Sequence, residues 1–184
     1  MTALKSVLLA AAATVAIASA AQAADPIMPV PVAPIVPVAS AFDWNGFYAG
    51  ARVGAENKVQ SDTDWTLGVE IGVNAAFDMF VLGGEVGIDY VFANADYAYA
   101  EATLRAGVLV APEALLYGTV GYGSDLDSTA NVGSGNHILA GLGAEFAVTD
   151  SVSLDARYVY GWEQSNDAGT SDIHKFTLGA NFHF

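Results

Sequence analysis

The chain has no cysteine, only six lysines and arginines, and, past its first 23 residues, no apolar run long enough to cross a membrane as a helix. Each absence excludes something. Without cysteine there is no disulfide framework and no thiol for lipid attachment, so a lipoprotein is ruled out. A formal charge of -14 lacks the basic patch that neutralises phosphates, which argues against a nucleic-acid partner. Long-range steering would favour cations or neutral partners instead. A spanning helix needs about 18–20 consecutive apolar residues. Yet 53% of the chain is hydrophobic, and apolar residues that abundant and that dispersed must alternate with polar ones, as in strands.

What is present begins with MTALKSVLLAAAATVAIASAAQA. One lysine, an Ala-rich apolar run and the A-x-A triplet Ala21-Gln22-Ala23 read as a signal peptide over residues 1–23, cut after Ala23, with a retained anchor as the alternative. Residues 24–41 hold five of the six prolines, which remove backbone donors and favour an extended path. This segment reads as a tether. From Pro26 to Ser40 it would reach roughly 45 Å at about 3.1 Å per residue.

From Phe42 to Phe184 eight alternating segments follow, joined by connections that are long and short by turns. Long polar ones run from Ala55 to Asp64, Val91 to Asp96, Ser124 to Asn136 and Glu163 to Asp172. Short ones lie at Asp78-Met79, Ala111–Ala114 and Val148–Ser151. All long loops therefore fall at one end of an up-and-down array.

Successive strand side chains point to opposite faces, so the two parities can be read separately. One parity carries apolar residues such as Val53, Leu67, Val69, Ile71, Val86, Ile88, Leu104, Val120, Leu142 and Leu178, and no charge. The other carries Arg52, Glu70, Glu85, Asp89, Glu101, Arg105, Glu145, Asp155, Arg157 and Lys175, with most of the 19 glycines. A lipocalin-like soluble barrel would place the apolar parity inside. Three features oppose that. A solvated face has no steric need for glycine, whereas a crowded lumen does. The acids and bases can pair across neighbouring strands, and hairpin register predicts Arg52 with Glu70, Glu85 with Arg105, and Glu145 with Arg157. Finally, aromatics of the apolar parity gather at strand ends. Trp65, Tyr90, Tyr122, Tyr160, Trp162 and Phe176 lie toward the long loops, and Phe47, Phe77, Phe80, Phe146, Phe182 and Phe184 toward the short turns. Two aromatic girdles flanking an aliphatic band suit two membrane interfaces. The expected fold is all-β: an eight-stranded antiparallel up-and-down transmembrane β-barrel with a filled polar lumen, since closure pairs every backbone group where no water can. An even strand count puts both ends on one side, which the exported tether makes the periplasm.

The segments WNGFYAGARVG (Trp44–Gly54), LLYGTVGYG (Leu115–Gly123), LAGLGAEFAVTDSVSLDARYVYGW (Leu139–Trp162) and the terminal FTLGANFHF resemble small bacterial outer-membrane barrels of the opacity-protein and OmpA-like transmembrane type, often labelled "porin family", especially their alphaproteobacterial branch. The resemblance implies a surface protein in outer-membrane lipid that contributes to envelope integrity without enzymatic activity. It also implies that the last strand, with Phe182 and Phe184, is the signal read by the outer-membrane assembly machinery.

Catalytic options are thin. His137, His174 and His183 are scattered over the sixth and eighth segments and read as solvated or interfacial, with the alternation of FTLGANFHF turning His183 to the lumen side. Ser151 and Ser153 near a short turn have no partner that the sequence places. Asp125-Leu126-Asp127 lacks the further oxygen ligands of a calcium loop, and no cofactor or metal is expected. Arg52, Arg105 and Arg157 would fit a pore lining, but eight strands leave an interior that side chains fill. The expected function is structural, with outer loops of unknown ligand; the alternatives are a narrow porin-like channel and, further off, a lipid-modifying enzyme.

Overall fold

A computed structural model of the protein describes residues 42–58, 63–94, 96–126, 135–164 and 171–184. The signal segment with Ala21 and Ala23, the proline-rich segment 24–41 and Asp127 lie outside the described residues. Eight strands follow in order: β1 (Gly46–Lys58), β2 (Thr63–Phe77), β3 (Phe80–Phe92), β4 (Tyr97–Ala111), β5 (Ala114–Asp125), β6 (Asn136–Ala147), β7 (Val152–Glu163) and β8 (Ile173–His183). Each pairs antiparallel with its neighbour, and β8 closes on β1, with Ala51 opposite Ala180 and Arg52 opposite Gly179. The fold is the expected closed eight-stranded antiparallel barrel.

The ladder is staggered. Starting at Phe47 it passes through Val73, Gly84, Leu104, Val120, Ala140, Tyr160 and His174, then returns to β1 at Asn57, ten residues beyond its start. Such a stagger tilts the strands by about 35–45° to the barrel axis.

Side-chain parity decides which face is which. Val69, Ile71, Leu104, Val120 and Leu142 stand exposed on the outer wall, while the ten charged residues assigned to the opposite parity, from Arg52 to Lys175, are buried within the barrel. That inversion of the soluble pattern excludes the lipocalin-like arrangement.

Strand ends depart from expectation. The connection expected over Ala55–Asp64 is largely strand, since β1 continues to Lys58 and β2 begins at Thr63; β3 likewise takes Val91 and Phe92. At β1's end Glu56, Asn57 and Lys58 are polar on both parities, so the hydrophobic alternation stops while the backbone ladder continues. At the opposite end, Asp78 adopts φ 57° in the two-residue turn Asp78-Met79, a left-handed conformation that aspartate tolerates.

Candidate functional site: the lumen

Arg52 lies at the middle of the lumen, and its guanidinium gathers four carboxylates. Nη1 donates to Glu70 at 2.7 Å and lies 3.6 Å from Glu85; Nε donates to Asp89 at 2.8 Å, and Nη2 reaches Glu101 at 2.7 Å. Lys175 enters from β8, donating to Asp89 at 2.8 Å and to Glu101. Arg157 takes Glu85 with both terminal nitrogens, its Nη2 at 3.0 Å, and Arg105 reaches Glu145 at 2.6 Å. Asp155 accepts from the Tyr117 hydroxyl at 2.6 Å. All ten charged residues assigned to this face are buried.

Two of the three expected pairings are exchanged. Arg52 does meet Glu70, but Glu85 pairs with Arg157 rather than Arg105, and Glu145 pairs with Arg105 rather than Arg157. The physical reason is closure with stagger. In the ladder Arg105 faces Gly83, and Arg157 faces Gly143, so neither hairpin neighbour offers a carboxylate directly. Glu145 stands opposite Asp155, a like charge. The long guanidinium arms therefore cross the lumen to carboxylates on non-adjacent strands. Glu85→Ala is expected to destabilise the barrel by about 3–5 kcal/mol, because it strands a buried cation. Adding Arg157→Ala should restore part of that loss, whereas adding Arg105→Ala should deepen it. Denaturant midpoints for the two double-mutant cycles read this directly, and coupling to Arg105 in place of Arg157 would refute the assignment.

Sequence parity also placed residues here that composition did not single out. Tyr48, Tyr97, Tyr99 and Tyr117 have the lumen parity and are fully or almost fully buried. The Tyr48 hydroxyl donates to Glu85 at 2.7 Å, and the Tyr97 hydroxyl to Glu56 at 2.5 Å. Their rings explain part of the glycine content: a Cβ added at Gly72 or Gly143 would stand 2.3 Å from the ring of Tyr48 or Tyr117 respectively. Tyr48 and Tyr117 thus each lie on a glycine floor that no other residue could provide.

Toward its ends the lumen also gathers apolar side chains. At the short-turn end Phe42, Trp44, Val81, Leu115, Tyr117 and Ala147 form one buried apolar cluster, and at the long-loop end Val91, Tyr97, Tyr99 and Ile173 form another. Among the described residues, both ends of the charged network are therefore capped by apolar side chains. Sequence reasoning missed this, since Val81, Leu115 and Ile173 break the polar-inside rule.

The histidines divide differently from expectation. His137 is buried in the lumen rather than solvated or interfacial, His183 is buried there as the alternation of the last strand places it, and His174 lies on the outer wall beside the Tyr158 hydroxyl at 2.7 Å. Nor is Ser153 without partners: its hydroxyl donates to Glu145 at 2.5 Å and lies 3.1 Å from His183 Nε2, which is itself 3.2 Å from Glu145. A hydrolytic triad needs one ring nitrogen on the nucleophile and the other on the acid. Here the single Nε2 faces both. Ser151 lies in the turn before β7, where its carbonyl accepts from the His183 backbone N–H. Among the described residues no group of three or more His, Asp or Glu is arranged to hold a metal ion.

On the outer wall Trp65, Tyr90, Tyr122, Trp162 and Phe176 are exposed toward the long loops, with Tyr160 half-buried. Phe47, Phe77, Phe80, Phe146, Phe182 and Phe184 are exposed toward the short turns. Beyond β7, Asp172 accepts from the Tyr160 hydroxyl at 2.5 Å and the Glu163 N–H at 2.9 Å, and these bonds hold its carboxyl below the usual aspartate range.

A closed sheet with an aliphatic exterior, aromatic rims and a buried charged interior is a membrane-spanning β-barrel. The profile of the outer membrane protein beta-barrel domain matches residues 8–184, and the chain belongs to that family. It therefore sits in the lipid of the Gram-negative outer membrane. No curated protein matches the sequence. Among solved structures, the attachment invasion locus protein Ail of Yersinia pestis is similar at 14% identity and TM-score 0.51, over 75% of this chain and 96% of that one. The N-terminal β-barrel domain of Pseudomonas aeruginosa OprF is similar at 13% and 0.52, over 74% and 97%. The outer membrane enzyme PagL is similar at 15% and 0.53, over 74% and 99%. These likenesses show the shared barrel; an attachment protein and an enzyme both use it, so the fold alone does not choose a function.

Proposed function

We propose that the protein is a structural, non-enzymatic barrel that contributes to envelope integrity and presents its long loops for surface interactions. The observation that carries this reading is the lumen, filled by ion pairs at mid-height and closed by apolar clusters at both described ends. A narrow channel would need a continuous wetted path past Arg52 and Trp44. Purified folded protein in planar bilayers should give no discrete conductance steps, and steps that persist across preparations would defeat the closed-lumen reading in favour of the porin-like one. For a lipid-modifying enzyme the cluster of Ser153, His183 and Glu145 has the wrong nitrogen geometry. Loss of a lipid hydrolysis or transfer activity on Ser153→Ala or His137→Ala would reinstate that alternative.

Within this reading residues 1–23 are a signal peptide cut between Ala23 and Ala24, and residues 24–41 are a periplasmic tether. The rim aromatics seat the barrel at the two lipid interfaces. The alphaproteobacterial placement rests on sequence resemblance alone. The terminal strand acts as the signal for the outer-membrane assembly machinery, which the exposure of Phe182 and Phe184 supports, since neither ring is needed inside. Phe184 is 77% exposed, and its backbone N–H donates to Phe47 at 3.0 Å. Deleting Phe184 should therefore cut insertion in cells several-fold while barely moving the denaturant midpoint of assembled barrels. Equal losses in both would refute the signal role.

A further inference from the structure

Residues 42–45 precede the first strand and belong to no ladder, yet Trp44 is 3% exposed and Phe42 8%. Gly46, at φ 108°, makes the bend that lets the chain leave the mouth of the barrel and climb the wall as β1. From inside that mouth the segment touches most of the circumference. Trp44 Nε1 donates to the Pro112 carbonyl in the β4–β5 turn at 3.0 Å, and Asn45 accepts from the Ala76 N–H of β2 at 2.8 Å. The Phe42 ring meets Trp44 edge-on at 4.7 Å and His183 of β8 at 4.8 Å. Val81 of β3, Leu115 of β5 and Ala147 of β6 complete the cluster.

We propose that residues 42–45 are an internal clasp, which seats only after the barrel has closed and sets how slowly the closed barrel reopens.

The receiving surface is built for it. Val81, Leu115 and Ala147 point into the lumen at the short-turn end, beside the buried charges and hydroxyls of its middle, and without Phe42 and Trp44 they would face water. These positions come from three strands that adjoin each other only in part, and the remaining contacts are to β2 and β8. They converge on one point only when the sheet is round. A partly curled sheet cannot supply them, so the clasp contributes to the closed state and not to the closing transition state. Interactions absent from the transition state slow unfolding and leave folding almost untouched. The clasp also grips the seam itself, because His183 lies opposite Tyr48 in the β1–β8 ladder and is stacked on its ring at 5.3 Å. Opening between β1 and β8 would pull Phe42 and Trp44 off His183 in the same motion.

The test uses the full chain refolded into short-chain phosphatidylcholine vesicles, with heat-modifiable gel mobility reporting the closed barrel. Trp44→Ala and Phe42→Ala should each unfold in denaturant about tenfold faster or more, with folding rates within about twofold of the parent. Trp44→Phe keeps a ring in the mouth but loses the bond to Pro112, and should fall between Trp44→Ala and the parent. Leu115→Ala combined with Trp44→Ala should unfold more slowly than the two single effects would give if they multiplied, since both remove the same contact. Folding slowed as much as unfolding is accelerated, unfolding rates that do not change, or a Trp44→Ala chain that fails to close at all would each overturn the proposal.

Discussion

Arg52→Ala should cost the barrel about 3–5 kcal/mol, or abolish folding outright, as judged by the denaturant midpoint of the heat-modifiable form. Four carboxylates converge on this one side chain, and the remaining lumen cations cannot replace it: Lys175 already serves Asp89 and Glu101, and Arg157 serves Glu85. A buried ion pair adds little net stability over an apolar substitute, but removing one member leaves the other charged and dry. Here the loss would fall on Glu70 first, whose short contact is to Arg52 and whose next cation, Arg157, is 3.7 Å away. Arg52→Lys should recover only part of the loss, because one ammonium cannot present the planar fork that serves Asp89 and Glu70 together. A stability change for Arg52→Ala within about 0.5 kcal/mol would mean that the lumen is wet enough to hydrate the orphaned acids. The closed-lumen reading would then fall with it.

The second large effect is on the other side of the wall. Val69 stands at mid-height in β2 between Ala51 and Ile88, 62% exposed on the outer face. Val69→Arg should cost about 2–4 kcal/mol of folding free energy in a bilayer and depress insertion, since a guanidinium there has the longest reach to either headgroup layer. The same substitution near a rim should be far milder, because the charge can reach water. Unchanged insertion for Val69→Arg would contradict the assignment of this face to lipid.

Much of this architecture was legible without coordinates. Strand count, order and the identity of the two faces followed from period-two alternation, because lipid outside and charge inside make the parity signal unusually clean. Strand ends did not follow, as at Glu56, where both parities turn polar and the alternation dissolves before the ladder does. Nor did cross-lumen partners. Hairpin register describes adjacent strands, but Arg105 and Arg157 choose among strands brought near only by closure and stagger, and that information is held in no local window. The apolar caps were hidden for a related reason: Val81 or Leu115 alone looks like an exception, and becomes a surface only when three strands and the preceding segment meet. The tyrosine and glycine pairs were half visible, since both residue types share the lumen parity, although which ring lies on which glycine requires the register.

The three tryptophans of this chain occupy two optical environments. Trp65 and Trp162 look out into lipid, whereas Trp44 is sealed within the mouth behind the wall. Brominated acyl chains should therefore quench the first two and leave a residual emission from the third. That residue of fluorescence gives each barrel a built-in lamp, dark to the bilayer and bright while the mouth stays shut.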